Sequence, residues 1–135
     1  PASAWVLLAA NVLWTIAYDT EYAMVDRADD QRIGIRTAAI LFARFDVTVV
    51  MLCHVAFLSI LAALGWTLQL RWPFYVGLAA AAVLIAQQYR LIRARDPARC
   101  FRAFLDNNWV GAAIFAGIAL ALLLDRAGSD GLYPQ

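Results

Sequence analysis

Residues 47–70 read VTVVMLCHVAFLSILAALGWTLQL and contain no charged side chain. A helix of about 20 such residues crosses a hydrocarbon layer about 30 Å thick, because each residue adds about 1.5 Å. Three further charge-free runs occupy residues 1–18, 72–89 and 107–124. The sequence therefore predicts an all-α membrane protein with four transmembrane helices. We place these helices at about residues 4–18, 47–66, 72–92 and 109–124.

The composition excludes several classes of protein. Hydrophobic residues make up 64% of the 135 and the mean hydropathy is +0.67. Only 16% are charged, against about 25% in a soluble domain, so an ordinary soluble enzyme is excluded. The formal net charge of +1 provides no basic surface for nucleic acid. Cys53 and Cys100 lie too far apart for a zinc motif, and two cysteines form no disulfide framework.

The arginines predict the orientation in the membrane. The chain has no lysine, and nine of its 11 basic residues lie in or beside two long connectors, residues 19–46 and 93–108. Basic connectors remain on the cytoplasmic side of a membrane. We therefore expect both long connectors in the cytoplasm and the C-terminus outside. A bacterial inner membrane is the expected location, with the mitochondrial inner membrane as the alternative.

Residues 18–37, YDTEYAMVDRADDQRIGIRT, hold a cluster of carboxylates at the end of the first span. If the helix continues at about 100° per residue, one face carries Asp19, Tyr22, Asp26 and Asp30 within about 80°. Like charges one turn apart destabilise a helix by about 0.2–0.5 kcal/mol per pair. Such a departure from local stability usually marks function. Gly34 is positioned to end this helix.

A divalent cation would relieve that repulsion. Mg²⁺ takes one or two carboxylates from a protein together with substrate phosphates, so Asp26 and Asp30 are the candidate ligands. Arg32 and Arg36 either bind a diphosphate, for which guanidinium groups are well suited, or anchor the connector in the cytoplasm. In the alternative without a metal, the segment is a solvated helix end whose charges are neutralised by Arg27 and Arg32.

Polar residues within the other spans favour structural roles. His54 lies in the middle of the second span, where an interhelical hydrogen bond is the expectation. Residues 106–108 read DNN, just before the fourth span, and are expected to cap its helix. The preceding run RARDPARCFRAF is expected to lie along the cytoplasmic interface.

The carboxylate segment also resembles a known family. YDTEYAMVDRADDQRIGIRTAAILF, at residues 18–42, is similar to the second aspartate-rich motif of the UbiA superfamily of intramembrane prenyltransferases, in the form typical of its 4-hydroxybenzoate polyprenyltransferase branch. CFRAFLDNNWVG at residues 100–111 is similar to the last cytoplasmic connector and final helix of that branch. QQYRLI at residues 87–92 is also similar to the sequence of that branch.

The resemblance implies that residues 1–135 are the C-terminal part of one domain, a bundle of nine transmembrane helices. The implied reaction transfers a polyprenyl group from polyprenyl diphosphate to the ring of 4-hydroxybenzoate in ubiquinone synthesis, with Mg²⁺ as the cofactor. The family's other aspartate-rich motif, N-D-x-x-D-x-x-x-D, has no match here. The chain would then need the missing N-terminal helices as its partner and be inactive alone.

The resemblance assigns roles residue by residue. Asp26 and Asp30 match the metal ligands of the family motif. Asp19 and Tyr22 match signature positions that line the same pocket, where one of them orients the acceptor or a metal-bound water. Arg32 and Arg36 stand where the family places basic residues.

Two alternatives remain open at this stage. In the first alternative, the chain belongs to a UbiA-type prenyltransferase with another acceptor, such as homogentisate, a naphthoate or a tetrapyrrole. Otherwise the chain is a non-enzymatic, cation-binding membrane subunit, for which acidic residues inside the spans would be expected.

Overall fold

The computed structural model describes the backbone of residues 1–130 and the side chains of residues 1–127. This part of the chain contains six α-helices, one short 3₁₀ helix at Ala43–Phe45, and no strand. The α-helices are α1 (Ala2–Val25), α2 (Arg27–Ile33), α3 (Ala38–Phe42), α4 (Asp46–Thr67), α5 (Trp72–Ile92) and α6 (Pro97–Asp130).

The four long helices α1, α4, α5 and α6 form a bundle in which α1 packs between α4 and α6, and α5 closes the other side. Each lies in a segment long and apolar enough to cross a membrane. Large apolar side chains such as Leu52, Val83 and Phe115 are exposed on the outside of the bundle, as expected for surfaces in contact with lipid. The predicted four membrane-spanning helices are confirmed.

The predicted start of the fourth helix is wrong by 12 residues. The helix begins at Pro97, not at residue 109, so only residues 93–96 connect α5 to α6. Asp96 is the N-cap, because its Oδ1 accepts a hydrogen bond from the backbone N–H of Arg99 at 3.0 Å. Proline is favoured at the first helical position, where its missing N–H is not needed. Residues 106–108 therefore lie inside α6 and do not cap it.

The helix over the carboxylate segment is interrupted. Helix α1 ends at Val25, Asp26 has a φ of −95° and a ψ of 7°, and α2 begins at Arg27. Gly34 then ends α2 in the left-handed conformation, with a φ of 76°, as the sequence predicts. The expectation of one straight helix from the first span to Gly34 is wrong.

The closest helix packing joins α5 to α6. A Cβ built on Gly77 would lie 2.6 Å from the carbonyl oxygen of Ala113 and 3.0 Å from the Cα of Gly117. Small residues at such crossings allow membrane helices to approach closely. Gly77 of α5 and Gly117 of α6 are the small residues at this crossing. At Gly111 the added Cβ would meet only the ring of Trp14, at 3.0 Å.

Replacing Gly77 with alanine is therefore expected to lower the free energy of unfolding by about 1–2 kcal/mol, because two backbones must separate. Thermal unfolding of the detergent-solubilised protein measures this loss. Gly111→Ala is the matched control, since its added methyl meets the end of one side chain and no backbone atom, and a smaller loss is expected. A Gly77→Ala protein as stable as wild type would contradict the packing described here.

Ion pairs mark the two ends of the bundle. At one end Arg71, in the α4–α5 turn, pairs with Asp125 of α6 at 2.8 Å. At the other end Asp46, at the start of α4, pairs with Arg27 and with Arg95 of the α5–α6 connector. Both connectors in or beside which the nine arginines lie are therefore at the same end of the bundle. The C-terminus itself, residues 131–135, lies outside the described residues.

Candidate active site

The candidate residues of α1 lie on its outer face. Asp19 is exposed, and 46% of Tyr22 is exposed. The Tyr22 ring packs against Phe104 of α6, with ring centroids 5.1 Å apart. Glu21 points the opposite way and is fully buried. Asp19 and Tyr22 therefore face away from the core that the described helices share.

The two candidate metal ligands lie at the corner between α1 and α2. Asp26 is exposed and Asp30 is half-buried. The backbone N–H of Asp30 donates to the carbonyl oxygen of Asp26 at 2.9 Å, so these residues remain one helical turn apart across the break. Asp19 and Tyr22 belong to a different helix from Asp30. The expected row of four on one straight helix is therefore wrong, whereas the spacing of Asp26 and Asp30 is kept.

The two candidate diphosphate-binding arginines are both exposed. Arg32 lies in the last turn of α2, where its Nη1 is 3.5 Å from Oδ1 of Asp29. This exposed pair contributes little to stability, so the guanidinium is able to exchange partners. Arg36 follows Gly34 in the segment between α2 and α3. The two arginines therefore lie on either side of the turn, close to Asp30 in sequence.

The carboxylates of Asp26 and Asp30 provide part of the ligand set that Mg²⁺ needs. Two carboxylates one turn apart are what Mg²⁺ takes from a protein when waters and substrate phosphates complete its six ligands. Among residues 1–127, no group of three or more His, Cys, Asp or Glu side chains comes together to hold a metal ion. The corner therefore provides an open site that needs further ligands, which matches a cation that bridges the protein and a diphosphate.

A groove between α1 and α6 opens beside Tyr22. Its volume is about 290 Å³, and its walls include Trp14, Tyr18, Phe104 and Asn107. The Tyr18 and Phe104 rings have centroids 6.3 Å apart. The groove is thus lined by three aromatic rings and Leu105, together with Asn107 and Asn108.

A buried polar network joins α1 to α6, and the sequence did not predict it. The Asn107 amide nitrogen donates to Oε2 of Glu21 at 2.7 Å, and its amide oxygen accepts from Trp14 Nε1 at 3.0 Å. Glu21 and Asn107 are 0% and 5% exposed. His54 of α4 lies beside this amide, but neither ring nitrogen has a hydrogen bond of good geometry among the described residues. The expected interhelical hydrogen bond of His54 is therefore not observed among residues 1–127.

A second unpredicted group surrounds Asp46, whose carboxylate is fully buried. Arg27 Nη1 donates to its Oδ2 at 2.7 Å, and Arg95 Nη2 donates to its Oδ1 at 2.7 Å. Arg95 Nε donates to both carboxylate oxygens, at 3.0 Å to Oδ1 and 3.1 Å to Oδ2. These hydrogen bonds raise the pKa of Arg95, so its guanidinium keeps its charge. We call Arg27, Asp46 and Arg95 the Asp46 cluster.

Comparison with known proteins identifies relatives over most of the chain. Residues 1–111 match the UbiA prenyltransferase family. The chain is 61% identical over 94% of its length to the 4-hydroxybenzoate octaprenyltransferase of Nitrosospira multiformis, and covers 44% of that protein. It is 58% identical over 99% of its length to the protein of the same name from Thiobacillus denitrificans, and covers 45% of it. The chain thus spans less than half the length of these curated relatives. No solved structure matches it.

Proposed function

Because the chain belongs to the UbiA prenyltransferase family, we propose that the protein containing it transfers a polyprenyl group from polyprenyl diphosphate to the ring of 4-hydroxybenzoate. The product is a precursor of ubiquinone. The observation that carries the proposal is the pair of carboxylates, Asp26 and Asp30, one turn apart at the open corner of an apolar bundle. The names of relatives 54–61% identical to the chain support the acceptor.

Asp26 and Asp30 would hold Mg²⁺ against the diphosphate. When bound, Mg²⁺ withdraws charge from the departing diphosphate and so eases cleavage of the allylic C–O bond. Arg32 and Arg36 bind the same diphosphate through their guanidinium groups. Both arginines are exposed at this end of the bundle, where a charged headgroup is accessible while its prenyl chain lies in the membrane.

The remaining steps depend on shielding and orientation. The apolar bundle excludes water from the allylic carbon, which would otherwise be hydrolysed. Asp19 and Tyr22 orient the phenol so that its ring carbon forms the new C–C bond as the C–O bond breaks. The ring carbon then gives its proton to the departed diphosphate, which restores the aromaticity of the ring. The aromatic groove beside Tyr22 supports this placement of the acceptor.

The family's other aspartate-rich motif, N-D-x-x-D-x-x-x-D, would come from the rest of the protein. The chain covers 44% of its Nitrosospira relative, and its Asp19, Tyr22 and Asp26 side chains are exposed on the face that the described helices leave open. Further N-terminal helices, five in a nine-helix bundle, would cover that face and complete the metal site. The fragment is expected to be inactive without them.

The full-length protein in isolated membranes tests this function. Radiolabelled polyprenyl diphosphate is supplied with Mg²⁺ and with 4-hydroxybenzoate, homogentisate or a dihydroxynaphthoate in parallel, and membranes lacking the protein are the control. We expect label on 4-hydroxybenzoate, and its loss when EDTA removes the cation. Label on another ring would contradict the proposed acceptor. Absence of label from all three would favour the non-enzymatic, cation-binding subunit.

The protein is proposed to lie in a bacterial inner membrane with both arginine-rich connectors in the cytoplasm and the C-terminus outside. In a Cys53→Ala, Cys100→Ala background, Gln69→Cys in the exposed α4–α5 turn should react with an impermeant maleimide in intact cells. Arg93→Cys, at the opposite end of α5, should react only after the cells are permeabilised. The reverse pattern of labelling would contradict the orientation.

A further inference from the structure

The Asp46 cluster ties together three segments that are distant in sequence. Arg27 begins α2, Asp46 begins α4, and Arg95 lies between α5 and α6. Each guanidinium also donates to a backbone carbonyl of the segment just before α4: Arg27 Nη2 to Ala43 at 2.9 Å, and Arg95 Nη2 to Arg44 at 2.9 Å. The buried carboxylate is thus held from two sides in a fixed geometry.

Backbone strain is concentrated at the same place. Among the described residues only three other than glycine have a positive φ, and two of them belong to this region: Ala43 at 48° and Arg95 at 54°. Side chains with a Cβ rarely adopt this conformation. Strained backbone that is held by surrounding contacts is typical of functional sites. The contacts here are those made by the two guanidinium groups.

The cluster acts directly on the corner that carries Asp26. Arg27 is the next residue after Asp26, and it is the first residue of α2. Its ion pair with Asp46 therefore fixes the direction in which α2 leaves α1. Asp30 is part of α2. Its backbone N–H donates to the carbonyl oxygen of Asp26, so the two residues stay together at the corner. Any change in this corner changes where both carboxylates lie relative to the bundle.

We propose that Asp46 is a positioning residue for the site at Asp26 and Asp30, acting through Arg27 and supported by Arg95. This inference rests on the proposed function, because it assigns the corner to a divalent cation. Residues that orient metal ligands typically change metal affinity by about 10–100-fold when they are replaced. A residue that serves only the fold would change stability and leave metal affinity unaltered.

Asp46→Asn tests this inference, since it keeps the size of the side chain and removes its charge. In the full-length protein we expect the Mg²⁺ concentration for half-maximal transfer to rise about tenfold, while the rate at saturating Mg²⁺ changes much less. Mn²⁺ provides a readout independent of activity. Its binding, measured by the loss of the free-ion signal in electron paramagnetic resonance, should weaken by the same factor.

Arg95→Gly is the second variant, because glycine accepts the positive φ without strain and the guanidinium is lost. If the guanidinium matters, this variant weakens Mn²⁺ binding even though its backbone is relaxed. The Asp46→Asn, Arg95→Gly double variant should bind Mn²⁺ no more weakly than the weaker-binding of the two single variants, because both substitutions act through one network. Asp125→Asn is the matched control, since it breaks the Arg71 ion pair at the other end of the bundle, and its Mn²⁺ binding should equal that of wild type.

Unaltered Mn²⁺ binding in either Asp46→Asn or Arg95→Gly would overturn the positioning role, whatever happens to the melting temperature. If Asp46→Asn does not accumulate in membranes, Arg95→Gly alone decides, since Arg95 lies in a connector and its side chain is 40% exposed. Failure of the proposed function is seen separately, because wild-type protein would then transfer no label to 4-hydroxybenzoate in the same membranes.

Discussion

Prenyl transfer is expected to fall by at least roughly 10²–10³-fold when Asp26 is replaced with alanine in the full-length protein, the typical cost of removing one preorganised charge from a transition state. Asp26 and Asp30 are one turn apart, so either side chain alone is a poor site for Mg²⁺. Without the cation the diphosphate departs with its full charge. The measurement is the initial rate of label transfer to 4-hydroxybenzoate at saturating substrates.

Asp26→Asn separates the charge from the structural role of this residue. Asp26 stands at the N-cap position of α2, where its side chain makes no capping hydrogen bond, and asparagine is as acceptable at that position as aspartate. We therefore expect Asp26→Asn to lose activity without losing stability. Asp125→Ala, which removes a carboxylate at the opposite end of the bundle, should remain close to wild type. Full activity in Asp26→Asn would contradict the assignment of this carboxylate to the metal.

Replacing Asn107 with leucine is expected to destabilise the bundle by about 1–3 kcal/mol, the cost of leaving a buried polar group without its partner. The substitution removes two hydrogen bonds at once, one from the amide to Glu21 and one from Trp14 to the amide. Glu21 would remain fully buried and Trp14 half-buried between α1 and α6, with nothing to replace the amide. The melting temperature in detergent measures the loss.

The controls for Asn107 come from its neighbours. Asn108 is adjacent and exposed, so Asn108→Leu should leave the melting temperature close to that of wild type. Glu21→Leu combined with Asn107→Leu should be less harmful than Asn107→Leu alone, because replacing both partners with apolar groups avoids a buried unsatisfied carboxylate. If Asn107→Leu and Asn108→Leu had equal melting temperatures, the buried network would contribute nothing to stability.

The four spans could be predicted because a hydrocarbon layer imposes a simple requirement on sequence. Runs without charge, about 18 residues or longer, satisfy it, and α5 begins and ends where the sequence predicts. The start of α6 was missed because residues 97–106 carry charges and read as a connector. The Asp96–Pro97 pair, an N-cap followed by a proline at the first helical position, was the local signal for it.

The break at Asp26 has no such local signal. Helical periodicity continues across residues 18–33, and the interruption accompanies contacts from Arg27 to a residue 19 positions away. The partner of Glu21 is 86 residues away in sequence. A single sequence gives only the face on which a residue lies: at about 100° per residue, Glu21 lies about 200° from Asp19, and it is buried whereas Asp19 is exposed. What covers that face depends on tertiary packing, which periodicity does not encode.

The central claim is that Asp26 and Asp30 together hold a divalent cation for a lipid diphosphate. Mn²⁺ binding to the purified full-length protein, with and without an unreactive prenyl thiolodiphosphate, tests it most directly. We predict that the analogue tightens Mn²⁺ binding in wild type, and that the Asp26→Asn, Asp30→Asn double variant loses this effect. Equal tightening in the double variant would show that the cation is held elsewhere.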